Sequence, residues 1–175
     1  NKCYPVHSVI DDIIPFNEVF VIPYVFWYAL IAISLVYFAL YDVTSFVDLS
    51  KFILITQVVA MIIYIIFPTR QDLRPAIETM PNNPLADLVK LLYTVDTNTG
   101  VCPSLHVAYS LGIMSVWLKY KPAWWWWKIF VIISVILICL STMFIKQHSA
   151  VDFFVALPVC LLAEIIVNTT RRKKE

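Results

Sequence analysis

Long runs without a charged residue recur along this chain, and they constrain its fold more than any other feature. They are Val19–Tyr41, Phe52–Thr69, Thr97–Leu118, Ile129–Ile145 and Phe153–Ala163. A helix needs roughly 20 mostly apolar residues to cross a bilayer. The last two runs approach that length only when the residues beside them are included. The sequence therefore predicts an all-α, polytopic transmembrane helical bundle with five spans, at about 19–40, 52–69, 102–118, 124–144 and 150–169.

The composition supports a membrane protein with one domain over residues 1–175. Hydrophobic residues make up 61% of the chain, charged residues only 14%, and the mean hydropathy is +0.79. Soluble domains carry about 25% charged residues, so a soluble binding module is excluded. A net charge of +1 and the lack of a basic aromatic surface predict no nucleic-acid partner, and the four cysteines have no metal-ligand spacing. The sequence does not indicate an oligomeric state. The first 18 residues form no clean span, from which we expect a further helix upstream.

The segments between the spans predict how neighbouring helices are connected. Connections at 41–51 and 119–123 are short, which is typical of antiparallel helix pairs. The one long connection, 70–101, is rich in proline and acidic residues and cannot cross a membrane. Within it, Leu85, Leu88, Val89 and Leu92 have helical spacing, which predicts an interfacial helix over 85–93 that lies on the bilayer surface.

Basic residues predict which side each connection faces. Positive charge accumulates on the cytoplasmic side of membrane proteins. The tail 171–174 is therefore expected in the cytoplasm, together with Lys51, Lys119, Lys121 and Lys128, and the tryptophan run 124–127 is typical of an aromatic belt there. Successive spans cross the membrane in alternating directions, so counting the spans back from the cytoplasmic C-terminal tail places the remaining polar motifs together on the outer face. They contain Arg70, Arg74, Ser104, His106, His148 and Asp152.

His148 and Asp152 begin the last span and are the strongest candidates for chemistry. Four residues apart, they would share a face of a helix. A carboxylate orients an imidazole and makes it more basic, which suits a nucleophile or a proton shuttle. Ionisable groups are expensive in lipid, so a functional interpretation is favoured. The alternative is a structural hydrogen bond.

Two further motifs supply candidates for binding an anion. Pro103 suits the first turn of a helix, where Ser104 and the amides near Leu105 and His106 would face a phosphate. The alternative is an ordinary helix cap with an interfacial histidine. Arg70 and Arg74, four apart, could clamp phosphoryl oxygens with forked hydrogen bonds, or could simply face solvent or lipid headgroups.

Together these motifs resemble the type 2 phosphatidic acid phosphatase superfamily of membrane lipid phosphatases and phosphotransferases. That signature is Lys-x6-Arg-Pro, then Pro-Ser-Gly-His, then Ser-Arg-x5-His-x3-Asp. The matches are Arg74-Pro75, Pro103-Ser104-Leu105-His106, and Ser141-Thr142 followed by His148 and Asp152. The resemblance covers about residues 52–169. It implies a six-helix bundle whose first helix precedes this sequence, an extracytoplasmic active site, and catalysis through a phosphohistidine without a metal or other cofactor.

The sequence departs from the signature at three places. Phe67 stands in place of the family lysine, Leu105 in place of the glycine and Thr142 in place of the arginine. We expect Arg70 and Lys146 to replace the missing cations. Pro-Ser-Leu-His, together with Ser-Thr-Met and a polar residue before the second histidine, also resembles the inositol phosphorylceramide synthase branch, whose members pass a phosphoryl headgroup to an alcohol.

The resemblance leads to one expected function and two alternatives. The expected function is hydrolysis of a phosphomonoester or pyrophosphate lipid, with His148 as the nucleophile, Asp152 as its partner and His106 as acid and then base. Arg74, Ser104, Arg70, Lys146, Thr142 and Leu105 are the candidate phosphate-binding residues. The first alternative is transfer of the phosphoryl headgroup to an alcohol. The second is a non-catalytic lipid-binding membrane protein.

Overall fold

The computed structural model describes residues 3–172 and is all-α, as predicted. The helices in chain order are α1 (Val9–Ile13), α2 (Val21–Tyr41), α3 (Val43–Ile66), α4 (Pro84–Val95), α5 (Leu105–Lys119), α6 (Trp125–Phe144) and α7 (Ala150–Arg172). Single 3₁₀ turns lie at Glu18–Phe20 and Ile77–Thr79. Two short strands, β1 (Tyr4–Pro5) and β2 (Thr69–Arg70), pair in parallel. The tail residues 173 and 174, which the sequence predicts on the cytoplasmic side, lie outside the described residues.

Four helices in the described part of the chain are long and apolar enough to cross a membrane. They are Glu18–Tyr41, Val43–Ile66, Trp125–Phe144 and Ala150–Arg171, with 24, 24, 20 and 22 residues. The predicted span at 102–118 corresponds to α5, which has only 15 residues. It is shorter than expected because Ser104 caps its first turn, so that Cys102 and Pro103 stay outside the helix. Five spans are thus not established by helix length.

The predicted connection at 41–51 is wrong. Only Asp42 separates α2 from α3, and its side chain accepts a hydrogen bond from the Thr44 amide at 3.1 Å. Helix α3 therefore begins nine residues before the predicted span. The charged residues that suggested a loop have partners on α7 instead: Asp48 pairs with Arg171 at 3.3 Å, and the Lys51 ammonium donates to Thr170 at 3.2 Å.

Helix α5 is the central helix of the bundle. It packs against α2, α3, α6 and α7, and its buried side chains include Val107, Ile113 and Trp117. Gly112 lies directly against the ring of Phe52 on α3, where a Cβ would come within 2.4 Å of a ring carbon. Small residues permit such close approach between helices in membranes. The bundle thus holds α5 on several sides and presents both of its ends to polar groups.

The helix predicted at 85–93 is present as α4, which runs from Pro84 to Val95. Asn83 caps it by accepting a hydrogen bond from the Ala86 amide at 2.9 Å, and Pro84 occupies the first turn, where no amide donor is needed. Val89 is fully buried against the bundle, whereas Val95 is largely exposed. The helix therefore packs one face on the end of the bundle from which α5 and α7 begin.

Candidate functional site

A cavity of about 120 Å³ opens at the end of the bundle where α3 ends and α5 and α7 begin. A single water needs roughly 10–15 Å³, so the cavity has room for a group much larger than one water. Two of the three histidines of the chain line it. The complete lining is Tyr64, Asp96, Thr97, Thr99, Gly100, Val101, Leu105, His106, Gln147 and His148.

His148 and Asp152 are in contact, but they do not share a helix face as the spacing suggested. Helix α7 begins at Ala150, and His148 lies in the preceding turn, where its amide donates to the carbonyl of Thr142 at 2.9 Å. The Nδ1 atom of His148 is 3.1 Å from Oδ2 of Asp152, which is fully buried. Within the described residues nothing is hydrogen-bonded to Nε2. The buried carboxylate therefore orients the ring and leaves Nε2 free on the side of the cavity.

A reciprocal helix cap explains why Asp152 is held so firmly. The Oγ atom of Ser149 accepts a hydrogen bond from the Val151 amide at 3.2 Å, and Oδ2 of Asp152 accepts one from the Ser149 amide at 3.0 Å. This resembles a capping box, except that Oγ of Ser149 accepts from the second amide of the helix and not from the third. The carboxylate thus binds the helix end and the imidazole at once. The spacing Ser149-x-x-Asp152 is the sequence signal that could have predicted this cap.

His106 lies in the first turn of α5, and its ring meets the ring of His148 edge to face beside the cavity. The two imidazole centroids are 5.6 Å apart. On the other side, the rings of Tyr24 and Trp27 pack on His106 with centroid distances of 4.5 and 4.1 Å. Its Nε2 atom is buried and has no partner in the described part of the chain. A histidine packed in this way has few rotamers available, so its free nitrogen keeps a constant position beside His148.

The start of α5 presents donors to the cavity. Ser104 is the N-cap: its Oγ accepts a hydrogen bond from the Val107 amide at 3.4 Å, and its own amide donates to the carbonyl of Asp152 at 3.2 Å. The sequence had suggested that Pro103 lies in the first turn of the helix. It lies instead before the cap. The amides of Leu105 and His106 have no acceptor within residues 3–172. Free amides at a helix N-terminus favour an anion.

Arg74 does not reach the cavity lining. Its guanidinium lies over the ring of Tyr93, with Cζ 4.5 Å from the centroid. It donates to the carbonyl of Tyr93 at 3.1 Å and to that of Asp96 at 2.8 Å. These are carbonyls at the C-terminal end of α4, where a cation compensates the helix dipole. Arg74 therefore fixes the end of α4 and the backbone of Asp96.

The other expected cations also lie away from the two histidines. Arg70 is half exposed on β2 and pairs with Asp72 at 3.2 Å. The Lys146 ammonium donates to the backbone carbonyls of Asp11, at 2.7 Å, and Ile14. Burial lowers the pKa of Lys146, while Asp11 and Asp12 act in the opposite direction. Among the described residues, no lysine or arginine lines the cavity.

Thr142 and Leu105, the remaining candidates, contribute differently. The Thr142 hydroxyl is fully buried and donates to the Cys139 carbonyl at 2.8 Å. Its own carbonyl accepts from the amides of Gln147 and His148 at 3.0 and 2.9 Å, which closes the turn that carries the nucleophile candidate. Leu105 lines the cavity with its side chain and its free amide.

The N-terminal segment holds the His148 turn in place, which no sequence pattern indicated. The carboxylate of Asp11 is buried and accepts hydrogen bonds from the Ser149 hydroxyl at 2.5 Å and the Ala150 amide at 2.7 Å. Lys146 returns the contact by binding carbonyls of the same segment, as described above. We call Asp11 and Lys146 the N-terminal clamp. Its two members are 135 residues apart in the sequence, so local periodicity cannot reveal it.

Cys102 lies beside Asp152 just before the helix α5 cap. Burial raises the pKa of the Cys102 thiol to about 12, and the neighbouring Asp152 carboxylate acts in the same direction. The thiol therefore stays protonated at neutral pH, so that it can act as a weak donor and not as a nucleophile. In the described part of the chain, no three His, Cys, Asp or Glu side chains are grouped as metal ligands would be.

Comparisons of the chain with protein-family models, with curated proteins and with solved structures found no match.

Proposed function

We propose that this chain is an integral-membrane enzyme that hydrolyses a lipid phosphate through a phosphohistidine at His148. One observation carries the proposal. Two imidazoles 5.6 Å apart face one cavity, and a buried carboxylate orients one of them with its far nitrogen unoccupied. A nucleophile, a base that orients it and a second proton carrier at this distance are what a two-step displacement requires.

In the first step of the proposed reaction, Nε2 of His148 attacks phosphorus while the bond between phosphorus and the lipid oxygen breaks. The departing oxygen takes a proton from His106. Asp152 stabilises the imidazolium that develops on His148 by holding its Nδ1 proton. In the second step, His106 removes a proton from water, the new oxygen–phosphorus bond forms, and the bond between phosphorus and Nε2 breaks. Each such proton transfer contributes on the order of 10²–10⁴ to the rate.

The start of α5 supports binding of the phosphate. The free amides of Leu105 and His106 lie at the positive end of the helix dipole, and both residues line the cavity. Backbone donors of this kind stabilise the charge that builds up during displacement without any reorganisation. They supply part of what lysine and arginine supply in the family signature.

The proposed membrane arrangement includes α5 as a fifth span. With 15 residues it is about 22 Å long, shorter than a hydrocarbon core of about 30 Å. A cavity at its N-terminal end would then lie slightly below the outer surface, within reach of a lipid phosphate. The C-terminus would be cytoplasmic, because Lys51, Lys119 and Arg171 lie at the opposite end of the bundle, and basic residues favour that side.

A second candidate function is transfer of a phosphoryl headgroup to an alcohol. The observation that favours it is the charge of the cavity. Among the described residues, the lining contains the carboxylate of Asp96 and no lysine or arginine. A phosphodiester carries one negative charge less than a fully ionised phosphomonoester, and so is repelled less by such a lining. Both functions would use the same His148 intermediate.

The deciding experiment compares His148→Ala with His7→Ala. His7 is half exposed at the surface and pairs with Asp12, so its loss controls for removal of an imidazole. Purified protein would be incubated with radiolabelled phosphatidic acid in detergent micelles, with and without inositol. We expect His148→Ala to lower turnover about 10³-fold or more and His7→Ala to leave it within about twofold. Label bound covalently to the wild-type protein should be acid-labile and absent from His148→Ala.

Three outcomes distinguish the candidates. Release of free phosphate alone supports the hydrolase, and a new inositol phosphate supports the transferase. If neither product depends on His148 for any lipid tested, the enzyme proposal is refuted, and the non-catalytic lipid-binding alternative replaces it.

A further inference from the structure

Two residues of the cavity lining present hydrogen-bond acceptors that the proposed hydrolysis does not use. Asp96, immediately after α4, and Gln147, immediately before His148, both line the cavity. Nε2 of Gln147 donates to Oδ2 of Asp96 at 2.9 Å. Asp96 lies outside the motifs that the sequence singled out, and Gln147 appeared there only as the polar residue before His148. The cavity lining thus offers acceptors from these two residues as well as the amides at the start of α5.

The pairing determines the orientation of the Gln147 amide. A carboxylate only accepts hydrogen bonds, so the NH₂ group must face Asp96 and the carbonyl oxygen must face away. That oxygen, Oε1, is buried, and it has no partner in the described residues. Gln147 itself is only 3% exposed. Buried polar atoms without a partner are rare in folded proteins, so this oxygen in the cavity lining is open to a donor from a bound ligand.

The surroundings of Asp96 favour a hydroxyl group over an ammonium group as that donor. The Tyr24 hydroxyl donates to Oδ2 of Asp96 at 3.3 Å, in addition to Gln147. The guanidinium of Arg74 is bound to the backbone oxygen of the same residue at 2.8 Å. Both side-chain donors bind Oδ2, and a cationic ligand would meet the guanidinium nearby. A neutral hydroxyl meets no such repulsion and can donate to either free oxygen.

We propose that Asp96 and Gln147 form a subsite that accepts hydrogen bonds from a small hydroxylated alcohol bound next to the phosphohistidine. The inference rests on the phosphohistidine of the proposed function, and it identifies the class of alcohol that would compete with water for that intermediate in the second step. His106 would take the proton of the alcohol, the alcohol oxygen would form a bond to phosphorus, and the bond between phosphorus and Nε2 of His148 would break. Asp96 and Gln147 act as specificity residues because they contact the acceptor and not the reacting phosphorus.

The test measures how the intermediate partitions between water and glycerol, the alcohol used as probe. Full-length protein in micelles would receive radiolabelled phosphatidic acid and increasing glycerol, and the ratio of glycerol phosphate to free phosphate would be determined. We expect this ratio to fall about tenfold or more in Asp96→Asn and in Gln147→Leu, because a buried hydrogen bond to the alcohol is lost. Asp87→Asn is the matched control. Asp87 is exposed on α4, pairs with Lys90, and is absent from the cavity lining, so its ratio should equal that of the wild type.

The ratio separates this inference from the proposed function. Turnover that depends on His148 but yields only free phosphate at every glycerol concentration overturns the subsite and leaves the hydrolase. An unchanged ratio in both variants overturns the assignment of these two residues. A higher ratio with ethanolamine than with glycerol overturns hydroxyl recognition in favour of a cation. If no turnover depends on His148, the proposed function fails and the subsite fails with it.

Discussion

Replacing Asp11 by alanine should destabilise the protein more than any other change in the N-terminal segment. Asp11 is only 3% exposed, and its carboxylate accepts three hydrogen bonds, from the Ser8 amide, the Ser149 hydroxyl and the Ala150 amide, at 2.5–2.7 Å. A hydrogen bond to a charged group contributes about 1.5–3 kcal/mol. The three are not additive, because they share one side chain, and losses above about 5 kcal/mol are exceptional. We therefore expect a loss of about 3–5 kcal/mol in the free energy of unfolding.

Thermal unfolding in detergent micelles, followed by tryptophan fluorescence, measures this loss. For a chain of this size, 1 kcal/mol corresponds to about 2–4 °C, so the midpoint should fall by about 6–20 °C. Asp12→Ala is the matched control. Asp12 is the next residue, also acidic, but it is 63% exposed and pairs only with His7 at the surface. An exposed pair contributes about 1 kcal/mol or less.

The comparison between the two adjacent carboxylates decides whether the clamp stabilises the fold. If Asp11→Ala unfolds within about 1 kcal/mol of Asp12→Ala, the hydrogen bonds of Asp11 contribute little, and the argument from burial is refuted. Turnover gives a second readout, since release of Ser149 and Ala150 would also free the turn that carries His148.

Three other changes test separate parts of the structure. Gly112→Ala should cost about 1–3 kcal/mol, measured by the same unfolding assay, because the new methyl would overlap the ring of Phe52; an unchanged midpoint would contradict the packing of α3 on α5. Asp152→Asn should lower turnover about 10²–10⁴-fold, because an amide does not stabilise the imidazolium of His148; wild-type rates would show that the carboxylate is only a helix cap. At pH 9, Cys102 should be alkylated at least about 100-fold more slowly in the folded than in the unfolded protein, because its raised pKa leaves little thiolate. Peptide mass mapping measures both alkylation rates, and equal rates would contradict the burial of Cys102.

The all-α architecture could be predicted from the sequence because long apolar runs leave the backbone no alternative in lipid. The helix boundaries could not. Asp48 and Lys51 appeared to end a span, but they are tolerated inside α3 because residues near the far end of α7 compensate them. Charge alone does not reveal whether a partner is available on another helix.

The spacing of the motifs placed His106, His148 and Ser104 at one end of the bundle, where the structure has them. The expected phosphate contacts of Arg74 and Lys146 could not be checked from spacing, because a long flexible side chain can point in several directions. Both cations instead bind backbone carbonyls, and this choice depends on segments far away in the sequence. The pairing of Asp96 with Gln147 could not be predicted for the same reason, because it is a tertiary contact between residues 51 positions apart.

The N-terminal clamp has a consequence for how the molecule is completed during synthesis. Asp11 emerges from the ribosome long before Ser149, and its partners lie 138 and 139 residues further along. A pairing at such sequence separation must await the synthesis of α2 to α6 and is slow to close. The turn at 145–149 therefore acquires its final shape only when the segment around Asp11 meets it, and a single backbone cut between Asp11 and α2 would sever the covalent tether of that segment without touching any residue in the cavity.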